Sequence, residues 1–144
     1  MWPELIGVVL GLMFVIPAVL LFRRYQVEDR AWAMFLAALP MFYMLFGVLA
    51  LDAQVILQEF LYGLPFILSG LLVLKLGKRV GIFVLGLAWL SHGFYDYFHD
   101  LLFVNPGVFS WYPAFCATVD IVAGLYIMIQ ARHIATATSS ASRT

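Results

Sequence analysis

Five apolar stretches, each about as long as a bilayer crossing, alternate with short polar breaks, and this pattern constrains the chain more than any other feature. A transmembrane helix needs roughly 20 predominantly apolar residues, within a range of about 17–25. Residues 4–22, 31–51, 55–74, 80–103 and 112–131 meet that requirement. The breaks carry charge or turn residues: "RRYQVEDR" at 23–30, "LDAQ" at 51–54, "KLGKR" at 75–79 and "VNPGVFSW" at 104–111, the last with an Asn-Pro-Gly turn. Of the 144 residues, 65% are hydrophobic and 11% charged, against about 45–50% and 25% in soluble domains. A chain this short cannot bury so much apolar surface in its own core, so its natural solvent is the lipid bilayer. The expected fold is an all-α integral membrane protein: one five-transmembrane-helix bundle over residues 1–134, followed by a small, polar, disordered cytoplasmic tail at 135–144.

Charge sets the expected orientation. Arg23, Arg24 and Arg30 lie in the first break, Lys75, Lys78 and Arg79 in the third, and Arg132 and Arg143 follow the last stretch; these are all eight basic residues. Cytoplasmic loops carry the excess of Lys and Arg, so the N-terminus is expected outside and the C-terminus in the cytoplasm of a multi-pass protein of the cell membrane. The first stretch lacks a basic leader and ends in Arg23 and Arg24 rather than at a small-residue cleavage site, so it reads as a retained span. Trp2, Trp32, Trp111 and Tyr112 fall near the expected interfaces, where aromatic belts form. Glycines 63, 70, 81 and 86 read as ordinary membrane-helix residues more than as a packing motif. A net charge of zero gives no footprint for nucleic acid. Cys116, the single cysteine, excludes an internal disulfide and reads as a packing residue.

Against this background the stretch "SHGFYDYFHD" at 91–100 is expensive, because a charged residue at the bilayer centre costs about 2.5–3.5 kcal/mol on insertion scales. At about 100° per residue, His92, Asp96 and His99 share one stripe of the fourth helix, with Asp100 at its edge. In the antiparallel fifth helix, Asp120 comes to a similar depth, at ~1.5 Å of rise per residue. Lipid-facing sides must be apolar, so the stripes should turn toward each other. One intramembrane cluster is therefore expected in the outer half of the bilayer: His92, Asp96, His99 and Asp120, with Glu59 of the third span as a fifth member. Two carboxylates close together in low dielectric need positive charge between them. A divalent metal, a protonated histidine or a shared proton would supply it. His92 and His99 stand about 10.5 Å apart along the helix axis, so the simpler metal site uses His92, Asp96 and Asp120. Zinc, iron and manganese are not separated by such ligands.

The pattern "SHGFYDYFHD" followed by "NPGVFSWYPAFCATVDIVAGLYIM" resembles a family of small membrane proteins known as domain of unknown function 6010. That family has a helix reading His-x-x-x-Asp-x-x-His, often followed by a second His, then a proline-containing loop and a last helix with an Asp. His92, Asp96, His99 and Asp120 match; Asp100 stands where the second His is usual. The resemblance spans residues 88–130 and implies no activity. In residue types the cluster is also similar to alkaline ceramidases and adiponectin receptors, which set Ser, His and Asp around an intramembrane zinc. Those proteins have seven spans and a His-x-x-x-His pair, which this chain lacks.

The leading expectation is a metal-dependent membrane enzyme, a hydrolase or oxidase, acting on a lipid or other apolar small molecule. His92, Asp96 and Asp120 would bind the metal, and His99 or Glu59 would act as general base or outer support. The alternatives are a proton or cation relay, which with so few spans would need a homo-oligomer, and a non-catalytic interaction subunit held together by the cluster.

Overall fold

The apolar stretches become five α-helices in the computed structural model, which describes the backbone of residues 2–141 and the side chains of residues 2–134. They are α1 (Trp2–Arg24), α2 (Glu28–Leu49), α3 (Ala53–Val73), α4 (Lys78–Leu102) and α5 (Tyr112–Ala141). No strand occurs among the described residues. Four of the helices, α1, α2, α3 and α5, are long and apolar enough to cross a membrane. The 25-residue α4 is long enough, but its second half carries the polar stripe and its composition falls short. The helix of α5 runs on through Ala141, past the expected span. The expected disordered tail at 135–144 lies outside the residues whose side chains are described.

Short turns fix the order of packing. The breaks after α1 and α2 close in the same way, with Val27 N–H on the Phe22 carbonyl and Asp52 N–H on the Gly47 carbonyl, five residues back. Each places a non-glycine residue in the left-handed region, Gln26 at φ 56° and Leu51 at φ 54°. Asp52 then caps α3, its carboxylate accepting from the Gln54 and Val55 amides at 3.0 and 3.1 Å. Asp52, half-buried, is thus spent on the cap.

The bundle consists of two units. α4 and α5 pack along their length and carry α1 on the outer side of α5; α2 and α3 form a hairpin. The hairpin meets α4 over a thinner contact. In lipid, apolar surface gains little by leaving the solvent, so close backbone approach and dispersion hold such helices together. Gly70 shows the approach that this requires: a Cβ there would lie 2.5 Å from the Ala33 carbonyl oxygen and 2.8 Å from the Ala37 amide. The glycines read as ordinary are thus at least in part packing positions. Gly70→Ala is expected to cost about 1–3 kcal/mol through overpacking, measured as a lower midpoint in SDS-driven unfolding.

The core at the basic end of the bundle is aromatic. Trp32 and Trp89 meet edge to face at 5.3 Å, and Trp89 Nε1 donates to the Trp32 carbonyl at 3.1 Å. Phe35 stacks on Trp89 at 6.2 Å. Trp32 is 1% exposed, so its expected place in an interfacial belt is corrected. Its residue number puts it near the interface, but its helix face points at α4.

Candidate functional site

α4 buries one continuous stripe, Ile82, Leu85, Trp89, His92, Asp96 and His99. Steps of three and four residues keep this stripe on one face. Its first half is apolar and its second half is polar. The change falls at His92, one turn beyond Trp89, so the Trp32–Trp89 layer forms the floor of the polar site.

Three of the expected residues meet there. His92, Asp96 and Asp120 each offer a ligand atom within 4.8 Å of the others. The His92 Nδ1 lies 2.5 Å from Asp120 Oδ2 and 3.3 Å from Asp96 Oδ2. None of the three is more than 1% exposed. Gly93 makes the meeting of α4 and α5 close: a Cβ there would stand 3.1 Å from the Asp120 Cβ and 3.0 Å from Ile121. Phe66 packs edge-on against the His92 ring at 4.5 Å, and Tyr95 tilts beside it at 5.6 Å.

This group is incomplete by two separate measures. Among the described residues, His92 Nε2, both Asp96 oxygens and Asp120 Oδ1 are buried and have no hydrogen-bond partner. The Tyr43 hydroxyl is in the same position. Buried polar atoms are nearly always paired, because leaving one unpaired costs about 1–3 kcal/mol. Charge adds a second demand: with both carboxylates ionised, a protonated His92 would answer only one of them, so the group calls for a cation or a shared proton.

His99 and Glu59 belong to a second, outer group, so the single cluster expected from the sequence is divided in two. Two helical turns separate His99 from His92, and the rings of Tyr95 and Tyr43 pack beside His99, at 5.5 and 4.4 Å from it. Unlike the first group, this one is satisfied. The Glu59 carboxylate receives His99 Nε2 at 3.0 Å and Asn105 Nδ2 at 2.7 Å on Oε1, and the Tyr95 hydroxyl at 3.2 Å on Oε2. His99 Nδ1 also faces Asp100 Oδ1 at 3.3 Å, although the Asp100 side chain is largely exposed.

Asn105 is the residue that sequence reasoning missed. It reads as the first letter of an Asn-Pro-Gly turn, and it does make that turn, its carbonyl accepting from Val108 N–H and its Oδ1 from Gly107 N–H. Its Nδ2, however, also donates to the Tyr43 carbonyl at 3.1 Å, and the residue is 4% exposed. The loop 103–111 is therefore pinned into the outer end of the bundle, tying α4 and α5 to the α2–α3 hairpin. An amide side chain two residues before glycine is common in turns, so nothing in the sequence marks it as buried. Asn105→Ala is expected to destabilise the protein by about 1–3 kcal/mol through the unpaired acceptors it leaves, read as a lower thermal midpoint with unchanged metal binding.

Cys116 is buried with Tyr43 and Tyr112, the packing role expected of it. At the opposite end, Glu28 accepts from the Tyr126 hydroxyl and, at 2.8 Å, from Gln130 Nε2. This contact joins α2 to α5 on the far side of the aromatic layer.

Compared with protein-family models, with the curated proteins and with the solved structures, the chain matches none.

Proposed function

We propose that the chain is a five-span protein of the cell membrane, N-terminus outside, whose His92, Asp96 and Asp120 hold a divalent transition metal and make it a metal-dependent enzyme acting on a lipid or other apolar small molecule. α4 is then the fifth crossing, carrying its polar stripe inward, and the basic ends of α1, α3 and α5 face the cytoplasm. One observation carries the metal reading: two carboxylates and one imidazole converge in a buried place, with four of their ligand-capable atoms unpaired.

The spacing is near that of a metal site. For bonds of about 2.0–2.1 Å in tetrahedral arrangement, ligand atoms stand about 3.3 Å apart. The His92–Asp96 separation of 3.3 Å meets this, whereas the 2.5 Å His92–Asp120 contact would have to open, and the ligand atoms, spread over up to 4.8 Å, would have to draw together. Zinc, iron and manganese all accept such a mixed nitrogen and oxygen set. When bound, the metal supplies a Lewis acid that polarises a carbonyl or acidifies a water. The protein contributes the rest: a fixed imidazole, aromatic walls from Phe66 and Tyr95, and a depth at which only an apolar substrate arrives readily. Of the two roles expected for Glu59 and His99, base and outer support, their mutual satisfaction favours support.

The relay alternative is disfavoured by the Trp32–Phe35–Trp89 layer, which separates the triad from Glu28, Tyr126 and Gln130. The scaffold alternative is disfavoured because unpaired atoms add no cohesion. To test the enzyme reading, purified protein is placed in liposomes of a total lipid extract with zinc, iron or manganese, and the lipids are compared by mass spectrometry. A metal-dependent product absent from Asp96→Asn supports it. Full metal occupancy with no lipid conversion under any of the three ions counts against an enzyme of lipids.

A further inference from the structure

A second feature lies at the basic end of α4 and α5, outside the polar site. A groove of about 420 Å³ runs between the two helices, lined by Arg79, Val80, Phe83, Met128, Ala131 and Arg132. The helices are antiparallel, so residues near the start of α4 lie beside residues late in α5. On α4, Arg79 and Phe83 are four apart; on α5, Arg132 and Met128 are four apart. Four residues is one turn and keeps one face, and the descent is about 6 Å. Both helices therefore present the same order at the same depth: a guanidinium near the end of the bundle, and a large apolar side chain one turn inward. Gly86 lets Met128 pack closely against α4, since a Cβ there would come within 2.8 Å of the Met128 side chain.

The two arginines are exposed, and among the described residues neither is ion-paired. Lys78, their neighbour, lies 3.8 Å from Asp29 across a different groove. Val80 and Phe83 are 57% and 47% exposed. The groove thus joins two free guanidinium groups to an open apolar floor. Arginine binds phosphate through paired N–H donors, and basic grooves between helices at a membrane surface take anionic headgroups. A free anion would use the arginines and gain nothing from Phe83 and Met128. A zwitterionic lipid would cover the floor but bring no net charge.

From this we infer that the α4–α5 groove is a binding site for one anionic phospholipid, its phosphate between Arg79 and Arg132 and its acyl chain along Phe83 and Met128. The inference does not depend on the metal site. It is tested on the full chain in a neutral detergent, titrated separately with phosphatidylglycerol, phosphatidylcholine and inorganic phosphate and followed by native mass spectrometry and thermal unfolding. Phosphatidylglycerol is expected to bind about 30-fold more tightly than phosphatidylcholine, the effect of two basic groups facing an anionic lipid. Arg79→Gln with Arg132→Gln should bring that preference to within about twofold. Lys75→Gln should leave it intact, and Phe83→Ser should weaken binding of both lipids. Both arginines are exposed, so the double variant tests binding rather than folding. Equal binding of the two lipids, a preference that survives the double substitution, or full displacement of phosphatidylglycerol by millimolar phosphate would each overturn the inference.

Discussion

Asp96→Asn is expected to raise the thermal midpoint of the metal-free protein and, in the same molecule, to abolish its stabilisation by zinc. Both effects follow from the unpaired state of Asp96. Its two oxygens have no hydrogen-bond partner, and His92 Nδ1 lies closer to Asp120, at 2.5 Å, than to Asp96, at 3.3 Å, so a negative charge on Asp96 would be the poorly answered one. An amide of the same shape removes that charge without opening a cavity, which relieves the metal-free protein. The same change removes a metal ligand. Loss of a group that merely orients a ligand costs about 10–100-fold in affinity, so loss of a ligand should exceed about 100-fold. With free zinc at 100 times the dissociation constant, the native chain gains about 2.7 kcal/mol of stability, and the variant should gain under about 0.5 kcal/mol. Thermal unfolding with and without zinc reads both effects at once. A variant less stable than the native chain in the absence of metal would mean that Asp96 already has its partner within the protein.

Glu59→Ala should have the opposite character, a large loss of stability with no gain anywhere. Glu59 is 1% exposed and accepts from His99, Asn105 and Tyr95. Its removal strands three donors in a buried place and leaves His99 without its main partner. Breaking a buried pair in this way costs about 3–5 kcal/mol. The loss should appear as a lower midpoint in SDS-driven unfolding and as faster proteolysis of loop 103–111, which Asn105 no longer pins. Glu59→Gln keeps one carbonyl acceptor and should recover a substantial part of the stability. Recovery by Gln would assign the group to hydrogen bonding, whereas equal damage from Gln and Ala would assign it to charge.

The helices were legible because a bilayer imposes length. Each expected span begins within a few residues of an observed helix, the first four also end within a few residues of one, and the breaks at Arg23–Arg30, Leu51–Gln54 and Lys75–Arg79 mark where the chain turns. The triad was legible for a related reason. His92 and Asp96 are one turn apart, and in antiparallel helices joined by a short loop the depth of Asp120 follows from counting. Rotation about the helix axis was harder to read. Trp32 stands near the start of α2, beside a polar break, yet faces the core against Trp89, and counting along the chain cannot tell a belt residue from a core one. The division of one expected cluster into two also depends on side chains from elsewhere, since Tyr43 reaches His99 from α2. Asn105 was hidden by its turn, because its local bonds to Val108 and Gly107 account for it and its long-range bonds leave no trace in the sequence.

The most direct measurement is the metal content of the detergent-purified protein, by elemental analysis, beside His92→Ala and Asp120→Asn prepared identically. The account predicts about one equivalent of a divalent transition metal in the native chain, as expected for a three-ligand site, and its loss in both variants. Native protein that is folded, free of metal, and unchanged in thermal midpoint by added zinc, iron or manganese would contradict it.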